Sequence, residues 1–81
     1  MQVNIIYCNQ WAYRPKASRA GDEIYEAYPD ADLIGVPSFG GVFEIEVNGT
    51  TIFSKEKEGR FPIDGELVKR IQELEFSKEA E

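Results

Sequence analysis

Apolar and polar residues follow one another along this chain in two rhythms, and each change of rhythm marks an element. Residues 2–7 (Gln-Val-Asn-Ile-Ile-Tyr) alternate loosely and are rich in β-branched and aromatic side chains, which predicts a mostly buried strand. After a polar break the period lengthens. Ala20, Ile24 and Tyr28 fall at i, i+4 and i+8, a narrow apolar stripe with Arg14, Lys16, Arg19, Asp22 and Glu23 at polar positions. Pro15 fits the first turn of that helix, where its missing N–H goes unused, and Pro29-Asp30 ends it. Residues 31–36 predict a second buried strand, and Pro37-Ser38-Phe39-Gly40-Gly41 a loop. Val42 to Val47 then alternates with period two, and Thr50 to Ser54 returns after Asn48-Gly49. Asn-Gly between two such runs predicts a type I′ hairpin, because both residues tolerate positive φ. The turn sets Val47 opposite Thr50, Glu46 opposite Thr51 and Ile45 opposite Ile52, and it turns Glu44 and Glu46 to a partly wet face. Residues 55–60 read as a solvated connection. Asp64 is the expected cap of a second helix with Leu67, Ile71 and Leu74 on one face. Residues 77–81 are short, charged and expected to fray.

The element order is therefore β-α-β-β-β-α. A strand-helix-strand start needs a parallel, right-handed crossover, and the hairpin adds antiparallel strands. The expected architecture is a two-layer α+β domain spanning residues 1–81. Its mixed four-stranded sheet has order 2-1-3-4, with both helices on one face.

Composition narrows the function. Nine basic and fifteen acidic residues give a net charge of −6, which argues against nucleic acid or an anionic membrane as partner. No run approaches the roughly 18 apolar residues of a membrane span, and Met1 leads into the first strand without an export signal. The chain has one cysteine, hence no internal disulfide, which fits a reducing compartment; a cytoplasmic monomer is expected. One cysteine and no histidine cannot build a zinc site, and no metal is expected. Residues 30–41 begin like a calcium loop but place Ile34 and Gly41 where carboxylates are needed. Gly40-Gly41 lacks the lysine of a phosphate-binding loop.

The remaining candidate chemistry is a thiol. Cys8 sits where the first strand runs out, and Trp11 follows at the C-x-x-C spacing, in the second sulfur's place. Arg14, Lys16 and Arg19 follow within a short stretch, a local concentration of positive charge that would favour a thiolate. Without histidine a Cys-His pair is excluded. The competing reading makes Cys8 a small buried hydrophobe at a strand end.

The element order and the run Tyr7-Cys8-Asn9-Gln10-Trp11-Ala12-Tyr13-Arg14-Pro15-Lys16 resemble the selenoprotein W-like (Rdx) family. Its members carry Y-C-x-x-[C or selenocysteine]-x-Y-[K/R]-P-K or a bacterial variant. Gly40-Gly41-Val42-Phe43-Glu44-Ile45, Asn48-Gly49, Ser54-Lys55 and Gly59-Arg60-Phe61-Pro62 resemble the later motifs of the prokaryotic branch. The resemblance implies a thioredoxin-like fold and a small thiol-redox protein linked to glutathione, with Cys8 as reactive sulfur. It also puts Trp11 in the place of the second cysteine or selenocysteine, so no intramolecular dithiol cycle carries over. Two functions are expected from this. In one, Cys8 works alone through mixed disulfides with glutathione or a partner thiol, with glutathione as co-substrate, no bound cofactor and no selenocysteine. Arg14, Lys16 and Arg19 would then stabilise the thiolate or hold glutathione carboxylates. In the other, the site is degenerate and the domain binds a protein partner through Trp11, Tyr13 and the Phe39-Gly40-Gly41 loop. Asn9 and Gln10 flank the site in either case.

Overall fold

The computed structural model describes residues 1–80; Glu81, the last residue of the segment expected to fray, lies outside the described residues. Strand β1 (Gln2–Cys8) leads through a turn into helix α1 (Arg14–Ala27) and back to β2 (Asp32–Ser38). Strands β3 (Phe43–Val47) and β4 (Thr50–Ser54) form the hairpin, followed by the one-turn helix α2 (Lys55–Glu58) and by α3 (Glu66–Ala80). The sheet order is β2-β1-β3-β4, with β2 parallel to β1 and β3 antiparallel to both its neighbours, as the pattern predicts.

The core follows from the two periods. Val3, Ile5 and Tyr7 of β1 meet Phe43, Ile45 and Val47 of β3 on one sheet face, and α1 and α3 close over it with Ala17, Ala20, Ile24, Leu67 and Ile71. Asn48 (φ 50°) and Gly49 (φ 86°) both adopt the left-handed conformation that a I′ turn demands. The Asn48 side chain also accepts a 2.9 Å bond from the Gln2 N–H, which ties the hairpin to the start of β1.

Four local expectations are corrected. β2 begins at Asp32, includes Pro37 and Ser38, and is an exposed edge strand rather than a buried one, because only β1 pairs with it and α1 barely reaches it. The hairpin keeps Val47 opposite Thr50 and Glu46 opposite Thr51, but a bulge then places Phe53, not Ile52, opposite Ile45. The extra residue turns the larger ring inward, where Phe43 meets it edge-on and Arg60 and Arg70 stack over it at 5.7 and 5.1 Å. Residues 55–58 are helical rather than an irregular connection. Finally, Asp64 does not cap α3. The Glu23 carboxylate reaches across from α1 and accepts the Gly65, Leu67 and Val68 N–H groups at 3.0, 3.1 and 3.2 Å. A carboxylate at a helix N-terminus satisfies orphan donors and suits the helix dipole.

Candidate functional site at the end of strand β1

β1 ends where its hydrogen-bond partners run out. The Cys8 N–H still donates to the Val42 carbonyl at 2.8 Å, and the Asn9 N–H to the Ser38 carbonyl at 2.9 Å. Cys8 thus lies between the end of β2 and the segment entering β3. It is fully enclosed, at 0% exposure, yet is not part of the main apolar cluster. In register it shares a sheet face with Asn4 and Ile6, opposite to Ile5 and Tyr7. The next four residues, Asn9, Gln10, Trp11 and Ala12, form an exposed turn. Ala12 closes that turn at φ 58°, a left-handed conformation that costs a non-glycine residue roughly 1–2 kcal/mol. Pro15 then sits in the first turn of α1, as its ring requires.

Trp11 is 60% exposed, but one part of its ring lies on the backbone of Gly41. A Cβ added at Gly41 would come within 2.6 Å of Trp11 Cζ3, and Gly41 also has φ +76°. Both features restrict this position to glycine while the indole lies there. Trp11 therefore rests part of its ring on Gly41 and leaves the rest exposed to solvent. Beside it, an open cleft of about 280 Å³ runs past Gly40, Gly41, Val42 and Glu44 to Lys55. Phe39 projects nearby in the chain at 74% exposure.

Tyr13 is a packing residue. It is half-buried, meets Trp11 edge-on at 6.1 Å and Phe61 edge-on at 4.8 Å. The three cations expected around the thiol divide between two surfaces: Lys16 and Arg19, one helical turn apart, line one small cleft with Glu23 and Asp64, and Arg14 lines another. Arg14 lines a groove against β2, Lys16 lies 5.1 Å from the Phe61 ring, and Arg19 lines surfaces shared with Glu23 and Asp64. Lys55, which received no role from its sequence, lies over Tyr13 and Phe61 at 5.7 and 5.5 Å. Its signal was present in the Ser54-Lys55 and Gly59-Arg60-Phe61-Pro62 motifs, whose positions meet beside the turn only in the folded chain.

Residues 2–73 match the Rdx family. The chain belongs to the Rdx family. As an Rdx protein it is 30% identical over 79 residues to selenoprotein W of Danio rerio, covering 93% of this chain and 92% of that one. It is 28% identical over 72 residues to migration and invasion enhancer 1 of Bos taurus, covering 89% of this chain but spanning only 63% of that protein's length. A crystal structure of a selenoprotein W-related protein from Vibrio cholerae superposes with a TM-score of 0.83 at 29% identity, over 90% of this chain and 94% of that one. The crystal structure of a Bordetella parapertussis protein gives 0.84 at 29% identity, over 90% and 95%. This Rdx protein is thus a selenoprotein W-like member with a thioredoxin-like fold, in a family that is thiol-redox related.

Proposed function

We propose that this protein is a monothiol redox protein that works through Cys8. The observation that supports this most directly is position: the chain's only thiol ends β1 at the exposed turn of an Rdx domain. In the forward step the Cys8 thiolate attacks a disulfide such as glutathione disulfide. A new S–S bond forms to Cys8 and one glutathione thiolate leaves. A second external thiolate then attacks the glutathione sulfur of the mixed disulfide, forming a new disulfide with that sulfur and releasing Cys8 as thiolate. Electrons balance, and the second sulfur that Trp11 cannot supply comes from the co-substrate. Because Cys8 is enclosed, a local opening has to precede attack, in this proposal a lifting of the adjoining exposed 9–12 turn.

The test is incubation of the reduced protein with glutathione disulfide, followed by mass spectrometry. The expected product gains one glutathione on Cys8, and reduced glutathione reverses it. Absence of the adduct in folded protein, with ready modification after unfolding, overturns the proposal.

A second reading rests on the opposite exposure pattern, with Cys8 at 0% and Trp11 and Phe39 at 60% and 74%. In it the turn is a protein-docking surface and the thiol is structural. Partner binding that survives Cys8→Ser and is lost in Trp11→Ala would select it.

A further inference from the structure

Between α1 and β2 a groove of about 330 Å³ opens over β1, away from the Cys8 face. Buried Ile5 and Tyr7 form its floor, Leu33 and Ala17 flank it, and exposed Ser18 and Arg14 complete the lining. The space exists because Gly35 has no side chain. Gly35 is paired with Ile5 in the parallel register and so shares the helix-facing side of the sheet. A Cβ placed there would meet only Tyr7 Cε1, at 3.6 Å, an ordinary contact, and its φ is not in the left-handed range. Neither a turn nor close packing therefore demands glycine. A mid-strand glycine weakens a strand, and one that packing does not require often marks where another molecule approaches.

The electrostatics point to the sign of that molecule. None of the lining residues is acidic, in a chain of net charge −6. Arg14 makes no hydrogen bond or ion pair among the described residues, whereas Arg60 and Arg70 are both engaged with glutamates. The lining thus combines an apolar trough, one free guanidinium and one hydroxyl. A guanidinium recognises a carboxylate through paired N–H donors, and pockets of this volume lie at the small end of ligand sites. We propose that the α1–β2 groove binds a small amphiphilic carboxylate. Its hydrocarbon covers Ile5, Tyr7 and Leu33, and its carboxylate meets Arg14 with Ser18 as a further donor. This site is independent of the thiol chemistry.

The test is a titration of ¹⁵N-labelled protein with octanoate below its micelle concentration, with octan-1-ol as the neutral control. Saturable amide shifts are expected at Ser18, Leu33 and Gly35, unchanged in Cys8→Ser. Arg14→Ala is expected to weaken octanoate by about tenfold, the loss of one solvent-screened charge-assisted contact. Gly35→Val fills the groove and is expected to abolish the shifts while keeping a dispersed amide spectrum. If that variant does not fold, Gly35→Ala combined with Arg14→Ala decides by the same readout. The proposal is overturned by any of four results: no saturable shift, shifts confined to other surfaces, equal affinity for octan-1-ol, or the same groove shifts on concentrating the protein alone. The last would make a second copy the occupant.

Discussion

Removal of the Trp11 side chain should expose Cys8. The sulfur is fully enclosed, so an alkylating reagent reaches it only after a local opening, taken as lifting of the adjoining exposed 9–12 turn. When such opening is fast, the observed rate is the rate of the exposed thiol multiplied by the open population. Trp11 is 60% exposed, so about two fifths of its surface is covered in the closed turn. A fully buried tryptophan covers up to roughly 250 Å², which puts the covered part near 100 Å². At about 25 cal/mol/Å² this holds the turn shut by about 2.5 kcal/mol, an upper bound because the lifted turn is not fully extended. Taking about half to all of that value, Trp11→Ala should accelerate iodoacetamide modification of folded Cys8 by about 10- to 70-fold. Gly41→Ala should act in the same direction, since its Cβ would lie 2.6 Å from the indole. The assay is alkylation followed by mass spectrometry in native buffer, with urea midpoints measured in parallel to correct for global destabilisation. Phe76→Ala, at an exposed position on α3, is the control. An unchanged rate in folded Trp11→Ala, or the same acceleration in Phe76→Ala, would refute the idea that Trp11 gates the thiol.

Two further outcomes follow from the start of α3. Glu23→Ala removes the acceptor of three N–H groups and should lower stability by about 1–2 kcal/mol, read as a lower urea midpoint at constant slope. Asp64→Ala should stay within about 0.5 kcal/mol; the reverse order would return the capping role to Asp64. Glu66 is held down to about 2 from the ordinary 4.5, first by its hydrogen bond to Arg60, then by the Ile63 N–H and the charge of Arg70. Its folded value lies below its unfolded one, so the stability it supplies is present above about pH 4.5 and is lost as pH falls toward 2. Full linkage over that interval would approach about 3 kcal/mol, but Arg60 is 43% exposed and water screens the pair, leaving about 1–2 kcal/mol. Urea midpoints measured across pH 2–5 should therefore fall more steeply in the natural protein than in Glu66→Gln. Parallel acid limbs would show that the pair contributes nothing.

What could be read from the chain was whatever repeats over a few residues. The period-two run into Asn48-Gly49 specified the hairpin and its first two cross-strand pairs, because backbone twist and positive φ act within four residues. The spacing of Ala20, Ile24, Leu67 and Ile71 specified which helix faces are buried, and the crossover rule with one hairpin left the order 2-1-3-4. The turn after β1 was legible for the same reason, since Cys8, Trp11 and Pro15 stand at fixed short separations.

Other features depended on which distant segments met. Apolar character alone does not distinguish a core strand from an edge: Leu33, Ile34 and Val36 look like a core strand, yet β2 has a neighbour on one side only. The bulge beside Ile52 reflects the greater bulk of Phe53 and the two arginines that stack on it, residues seven and seventeen positions further on. Glu23 caps a helix that begins more than forty residues later, because α1 and α3 lie side by side on the sheet. Local pattern was enough to specify every element but the one-turn α2, their order and the one thiol, through forces that act over a turn or a strand pair. Only the folded chain reveals that this thiol is enclosed, that Trp11 rests on Gly41, and that Arg14 faces a different groove from Lys16 and Arg19. Burial and charge at a point are set by everything packed around it, and in this chain those neighbours come from three segments that no local pattern connects.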